Sequence, residues 1–298
     1  MQTAPRRQQP PRQSRRTEWL VALAIVAVIV GGGGYAAITA LRHAFRTTVT
    51  YTAGCQAGTG NNAVQLSVSQ AQIAATIAAV AERLDLPSQA LTIAYATAWQ
   101  ESELANLDYG TSDSVGVFQQ RPSQGWGTVT ELENPVYATT AFFKALVKVP
   151  GYTTLAVATA AQDVQHSADG SAYNNYLAQA QEMTPAFTSG HGLTCWEGTG
   201  QADVKLDLHG AAAAMDAAFG VPGSSSALDS ITRLRSEDAD SVVTRAGAGW
   251  SAANWLVANA AAYGITRISY DGYTWTEGTG STAWDRDSAA GAASIVAN

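Results

Sequence analysis

The sequence predicts an α-helical domain and a small α/β C-terminal domain, set behind one N-terminal apolar span. Three observations lead there. Trp19 to Leu41 reads WLVALAIVAVIVGGGGYAAITAL, a stretch without a charge. Between about residues 64 and 186, apolar side chains recur at helical spacing between short polar breaks. Beyond residue 205, Ala-rich helical stretches give way to β-branched and aromatic runs around a turn signal, Asp271-Gly272. A chain of 298 residues has room for about two domains of ordinary size.

The net charge of -7 hides an asymmetry. Most of the arginines of the first fifty residues precede the span (Arg6, Arg7, Arg12, Arg15 and Arg16), with Arg42 and Arg46 after it, and Glu18 is their one acid. The remainder is strongly acidic. An acidic body argues against sequence-independent nucleic-acid binding, which needs clustered Lys and Arg to replace counterions. It fits a soluble, self-repelling surface.

Residues 1–17, rich in Gln, Pro and Arg, are expected to form a disordered basic cytoplasmic tail. The span, taken as residues 18–41, is long enough as a helix to cross about 30 Å of hydrocarbon. The arginines before it place the N-terminus in the cytoplasm and the body outside, as a single-pass cell-membrane protein. A cleaved signal peptide, with its cut among the small residues of Gly31–Ala37, is the alternative. One span lines no transport pathway. Residues 42–63 are expected to be a linker. Cys55 and Cys195, the two cysteines of the chain, bracket the first domain. In an oxidising compartment they are expected to form a disulfide that closes a long loop, worth about 2–4 kcal/mol; two unpaired thiols are the alternative.

The first domain, 64–186, opens with Ile73, Ile77, Val80 and Leu84 on one helical stripe, capped by Ser67 or Ser69 and ended by Asp85-Leu86-Pro87. Ser88 is expected to cap the next helix, running to about Leu104. On it Leu91, Ala94, Ala98 and Glu101 share a face, so a carboxyl group extends an apolar stripe in the last turn. Partial desolvation there, and the negative end of the helix dipole, favour a neutral, proton-donating acid. The alternatives are an outward-turned side chain and a pair with Arg121. Asn106–Gly116 reads as a loop. Val117–Gln120 and the segment Arg121–Gly127 with Trp126 then offer amides and an aromatic face, which is what a carbohydrate groove uses; Trp126 serves equally well as a buried anchor. Asp108 and Asp113 are candidates for a second carboxylate flanking a glycosidic bond, or for turn caps. Helices are expected from Pro135, over Leu155–Gln165 and over Tyr173–Met183, the last closed by Pro185.

Gln100-Glu101-Ser102 followed by Gly116-Val117-Phe118-Gln119 resembles the E-S…G-L-M-Q signature of the lytic transglycosylase and goose-type lysozyme superfamily, over about 64–186. The whole run Q-E-S…Y-G…G-x-F-Q-Q-R-P-S-Q-G-W-G is similar to that of an actinobacterial group of secreted or anchored proteins. The resemblance implies a lysozyme-like fold that cleaves the glycan strands of peptidoglycan without a cofactor. It implies that Glu101 is the catalytic acid/base and that Ser102, Gly116, Phe118, Gln119, Gln120 and Trp126 line the groove. Phe118 stands where the family has Met. The family's later A-Y-N-x-G motif, whose tyrosine faces the site, has no clean copy; Val164–Ser167 occupies roughly that place. Gln165 and Tyr173 are therefore the expected substrate contacts of the second half. If neither Asp108 nor Asp113 reaches the bond, Glu101 works alone with help from the substrate's N-acetyl group.

Residues 187–204 are expected to be a second linker. In 205–298, helices are expected over Ala211–Phe219 and Ala252–Tyr263, a loop over 221–226, and a hairpin of Gly264–Tyr270 and Tyr273–Trp275 about Asp271-Gly272. This part resembles a C-terminal domain of actinobacterial cell-wall proteins related to zinc peptidases. No His follows His209, however, so no metal site is expected. The expected partners are peptidoglycan glycan strands and, through residues 18–41, the membrane. The rival expectation is a non-catalytic wall-binding module of a secretion or conjugation assembly.

Overall fold

The computed structural model describes residues 52–166, 170–199, 203–220, 241–242, 249–278, 280, 283–291 and 295–298. The expected tail, the span over 18–41 and the loop over 221–226 lie outside the described residues. Among the described residues no helix is long and apolar enough to cross a membrane.

Strand β1 (Gly54–Ala57) starts the described chain and β2 (Val64–Leu66) returns antiparallel to it. Helix α1 (Val68–Arg83) follows at once. Of the two serines expected to cap it, Ser67 does so, in a full capping box with Gln70. Ile77 and Val80 of its stripe are buried, but so are Ala71, Ala74, Ala75, Ala78 and Ala79. The small residues let neighbours close in on more than one side.

Helix α2 (Ser88–Ser102) is the central element. Ser88, expected as its cap, is its first helical residue; Pro87 holds the cap position in extended conformation. From Ala90 to Trp99 every residue is buried, so α2 has no single apolar face. A helix apolar all round sits inside a protein. Its end comes at Ser102 rather than near Leu104. Glu103 and Leu104 both take left-handed backbone, φ 54° and 58°, and their N–H groups return to the carbonyls of Trp99 and Ala98. That conformation costs roughly 1–2 kcal/mol for each non-glycine residue. Full burial of the Leu104 side chain offsets much of it.

A short α3 (Val129–Leu132) leads into α4 (Pro135–Leu146), where Asn134 caps and Pro135 takes the first position. Helix α5 (Val157–Gln165) comes next, then a 3₁₀ segment (Gly170–Tyr176) and α6 (Leu177–Thr188). The helix expected over Tyr173–Met183 therefore starts later, and Pro185 does not close it. Proline forfeits its own donor, but the Pro185 carbonyl still accepts from Ser189 N at 2.8 Å.

Both expected linkers contain strand. β1 and β2 begin inside or beside 42–63, and β3 (Leu193–Trp196) lies inside 187–204. The three form a sheet in the order β2-β1-β3, with Cys55 directly opposite Cys195. Those two residues are disulfide-bonded across 140 positions, as the cysteine count led one to expect. Strands of three or four residues carry little periodicity, and it is their long-range pairing that makes them strands.

Helix α7 (Leu208–Phe219), β4 (Ser241–Val242), α8 (Gly249–Tyr263), β5 (Arg267–Tyr270), β6 (Tyr273–Thr276), β7 (Trp284–Arg286) and β8 (Ile295–Ala297) complete the chain. The strands make an antiparallel sheet in the order β4-β8-β5-β6-β7. Asp271 and Gly272 turn the β5–β6 hairpin with φ 48° and 81°, as their pair of letters predicts. The fold is thus mixed, with eight α-helices and two small antiparallel sheets among the described residues.

The division into 64–186 and 205–298 does not separate two cores. Tyr51–Asn298 form one compact unit, because α8 packs against α1, α6 and β3. The reason lies in α8 itself, where every residue from Ser251 to Ala260 is buried and a single small sheet is too little cover.

Candidate active site

The last turn of α2 is where a buried helix meets solvent. Trp99 is 8% exposed, while Glu101 two residues on is half-buried. Trp99 donates its indole N–H to Met183 Sδ at 3.1 Å and stacks on Tyr176 with ring centres 6.0 Å apart. These contacts dock the 3₁₀ segment onto the end of α2. Tyr173, on the same segment and 1% exposed, donates its hydroxyl to Glu101 Oε1 at 2.7 Å. A hydrogen bond of this length fixes the carboxyl group's orientation. Glu101 Oε2 has no protein partner among the described residues.

Ser102 is buried, and its hydroxyl donates toward Val117 O at 2.7 Å and Ala98 O at 3.1 Å. Expected as a substrate contact, it is instead a latch between the end of α2 and the following loop. That loop closes at Val115 and Gln120, which exchange backbone bonds. Phe118, expected on a groove wall, is fully buried and stacks on Phe142 at 4.4 Å. Gln119 donates to the carbonyls of Tyr109 and Gly116, and its Oε1 accepts from Ser114. Gln120 is 2% exposed and donates to Ala138 O. Gln165 donates to Phe118 O at 2.8 Å. The amides expected to meet a sugar thus hold the loop against α4 and α5.

Gly116 has φ 79°, and a Cβ there would stand 2.3 Å from Leu132 O. Gly125 has φ 82° with open space around it. Gly116→Ala is expected to cost about 2–4 kcal/mol, from the left-handed backbone plus overpacking, and Gly125→Ala only about 1. Urea titration of the two variants checks the difference; equal losses would mean that the close approach to Leu132 is unimportant.

Asp113 accepts from Arg121 Nε at 2.8 Å, Ser123 N at 2.7 Å and Ser123 Oγ at 3.0 Å. The Arg121 guanidinium first, then the two Ser123 donors, hold its carboxyl well below the usual carboxylate range. Asp113 is therefore a loop staple and a poor general base, and Arg121 is engaged there and not with Glu101. Asp108 is exposed on the same loop.

Trp126 is half-buried against the core. It also walls an open groove of about 680 Å³, with Lys148, Gln162, Asp163, Val164 and His166. Glu101 is not part of that lining.

Of the expected site residues, the structure brings Glu101 and Tyr173 together, and puts Ser102, Gly116, Phe118, Gln119, Gln120 and Gln165 in the scaffold beneath. Tyr173 carried a sharper signal than its expected role used. Ala172-Tyr173-Asn174 reproduces the first three letters of A-Y-N-x-G, with Tyr176 in the last place. Val164–Gln165 belongs to α5 and supports the loop instead. No protein-family model matches the chain, and no curated protein matches it.

Proposed function

We propose that the protein is a membrane-anchored enzyme that cleaves peptidoglycan glycan strands outside the cell, as a lytic transglycosylase or muramidase, with Glu101 as its acid/base. The α-helical part is read as a lysozyme-like domain and the sheet-bearing part as its α/β companion. The observation that carries this is the Tyr173 hydroxyl on Glu101 Oε1 where a buried helix reaches the surface. An oriented carboxyl group, with one oxygen unpartnered among the described residues, is what proton delivery to a leaving group requires.

The second carboxylate is the weak part of a two-carboxylate mechanism, since Asp113 spends its acceptors on Arg121 and Ser123. One residue then does both jobs. Glu101 Oε2 gives its proton to the glycosidic oxygen as the C–O bond breaks. The N-acetyl oxygen of the same sugar supports the developing cation. The Glu101 carboxylate next removes the proton from the sugar's own C6 hydroxyl, which closes on C1. The product is a 1,6-anhydro end, lighter by one water than a hydrolysed end. Mass spectrometry of digested purified cell walls is expected to find it. A free reducing end would mean that water attacks, and would make Asp108 the next position to change.

A wall-binding module without catalysis is the second reading. It is favoured by Asp113, whose carboxylate is tied to Arg121 and Ser123 and so is not available as a second catalytic group. It predicts retention on walls with no product of either mass.

A further inference from the structure

Where β3 ends and β6 ends, two carboxyl groups meet, and among the described residues no cation is paired with either. Glu197 follows β3 and Glu277 follows β6, and both are half-buried. The backbones are stitched there: Glu197 N donates to Gly278 O at 2.9 Å, and Gly280 N to Glu197 O at 3.4 Å. Glu277 N donates to Thr266 O at 2.8 Å. Both residues line one small cavity whose other walls are mostly apolar. Two half-buried carboxylates there repel each other, and a proton on one relieves the repulsion and lets it donate to the other.

Among the described residues the surroundings offer no substitute for that proton. α8 faces the pair with Val257, Ala258 and Ala261, α1 with Val68, and β6 with Trp275. The further charge acting on Glu277 is that of Asp203, which is also negative. On β5, Arg267 is bound to Asp287 at 3.1 Å. Lys205, beyond Asp203, is exposed.

We infer that Glu197 and Glu277 form a proton-set latch that holds the C-terminal sheet to β3 in mildly acidic medium and loosens when the shared proton leaves. Burial first, then the charge of Glu197 and the bond to it, push the Glu277 carboxyl up to about 7. The folded value lies above the unfolded one. The contribution to stability is therefore complete below about 4.5 and is lost as pH rises through about 7. The placement gives the loss a mechanical meaning. β3 carries Cys195, bonded to β1, and Leu193 O, which accepts from Trp284 of the C-terminal sheet. Opening at Glu197–Glu277 thus loosens one of the links between the two sheets.

The test uses the full-length protein in detergent micelles. The wild-type thermal midpoint is expected to fall on the order of 5 °C between pH 5 and pH 8 beyond any fall shown by Glu277→Gln. The amide keeps a donor for Glu197 at every pH, so that variant has no proton to lose. A carboxyl carbon NMR titration of the wild type reads the same pair without a mutation. A midpoint near 7 for Glu277, brought down by Glu197→Gln, supports the latch. Ordinary carboxylate midpoints for both residues overturn it, as does a Glu277→Gln variant with the wild-type pH dependence.

Discussion

Glu101→Gln is expected to lower the clearing of purified cell walls by about 10²–10⁴-fold, the usual contribution of a positioned general acid. The substitution keeps the side chain's shape, and the amide oxygen still accepts from the Tyr173 hydroxyl, so the 2.7 Å contact has a counterpart. What the variant lacks is a carboxyl group that can give and take a proton. Folding is expected to survive, because the site is half-buried and a neutral amide there costs less than a charge. Thermal unfolding of the variant checks that point separately from activity. Under the proposal Tyr173, whose hydroxyl donates to Glu101, acts through that residue and is a positioning residue. If wild type and Glu101→Gln bind walls equally and neither cuts them, while a control muramidase does, the enzyme proposal fails and the binding module replaces it.

Loss of the disulfide is the second large effect. Cys55 and Cys195 stand opposite each other in neighbouring antiparallel strands and close a separation of 140 residues. The bridge removes loop-closure entropy from the unfolded chain and pins β1, the middle strand of its sheet, to β3. Replacing both cysteines by Ala is expected to cost about 2–5 kcal/mol, read as a lower midpoint in urea. Alanine is the cleaner choice, since Cys55 is fully buried and a serine hydroxyl there would add an unsatisfied group. A loss below about 1 kcal/mol would mean that sheet pairing alone holds the strands, and that the bridge adds little beyond it.

The elements that could be read directly were those whose cause is local. Ser67 and Gln70 write the start of α1 within four letters, and Asn134-Pro135 that of α4. Asp271-Gly272 specifies the hairpin turn because its two residues accept positive φ. The number of cysteines allowed one intramolecular bridge. Glu101 was placed near the end of a buried helix by spacing alone, and its helix is indeed buried up to Trp99.

What needed the tertiary structure is whatever depends on partners far along the chain. β1 and β3 read as linkers because neither is a strand until the other lies beside it. Pro185 looked like a stop, yet the loss of one donor does not end a helix. α8 read as part of a separate small domain, but its all-round apolar surface is covered by α1 and α6 from the first half. At the site, composition named polar groups but not their directions. Gln119, Gln165 and Ser102 turn inward because the tight loop at Gly116 leaves backbone carbonyls to be satisfied, and Gln120 turns inward to the Ala138 carbonyl of α4. Asp113 turns to Arg121 for the opposite reason, as a half-buried carboxylate with donors eight and ten residues away on a neighbouring turn. By itself the sequence determined where the carboxyl group sits on its helix. Only the packing of the 3₁₀ segment, through Tyr176 on Trp99, decided that Tyr173 would reach it.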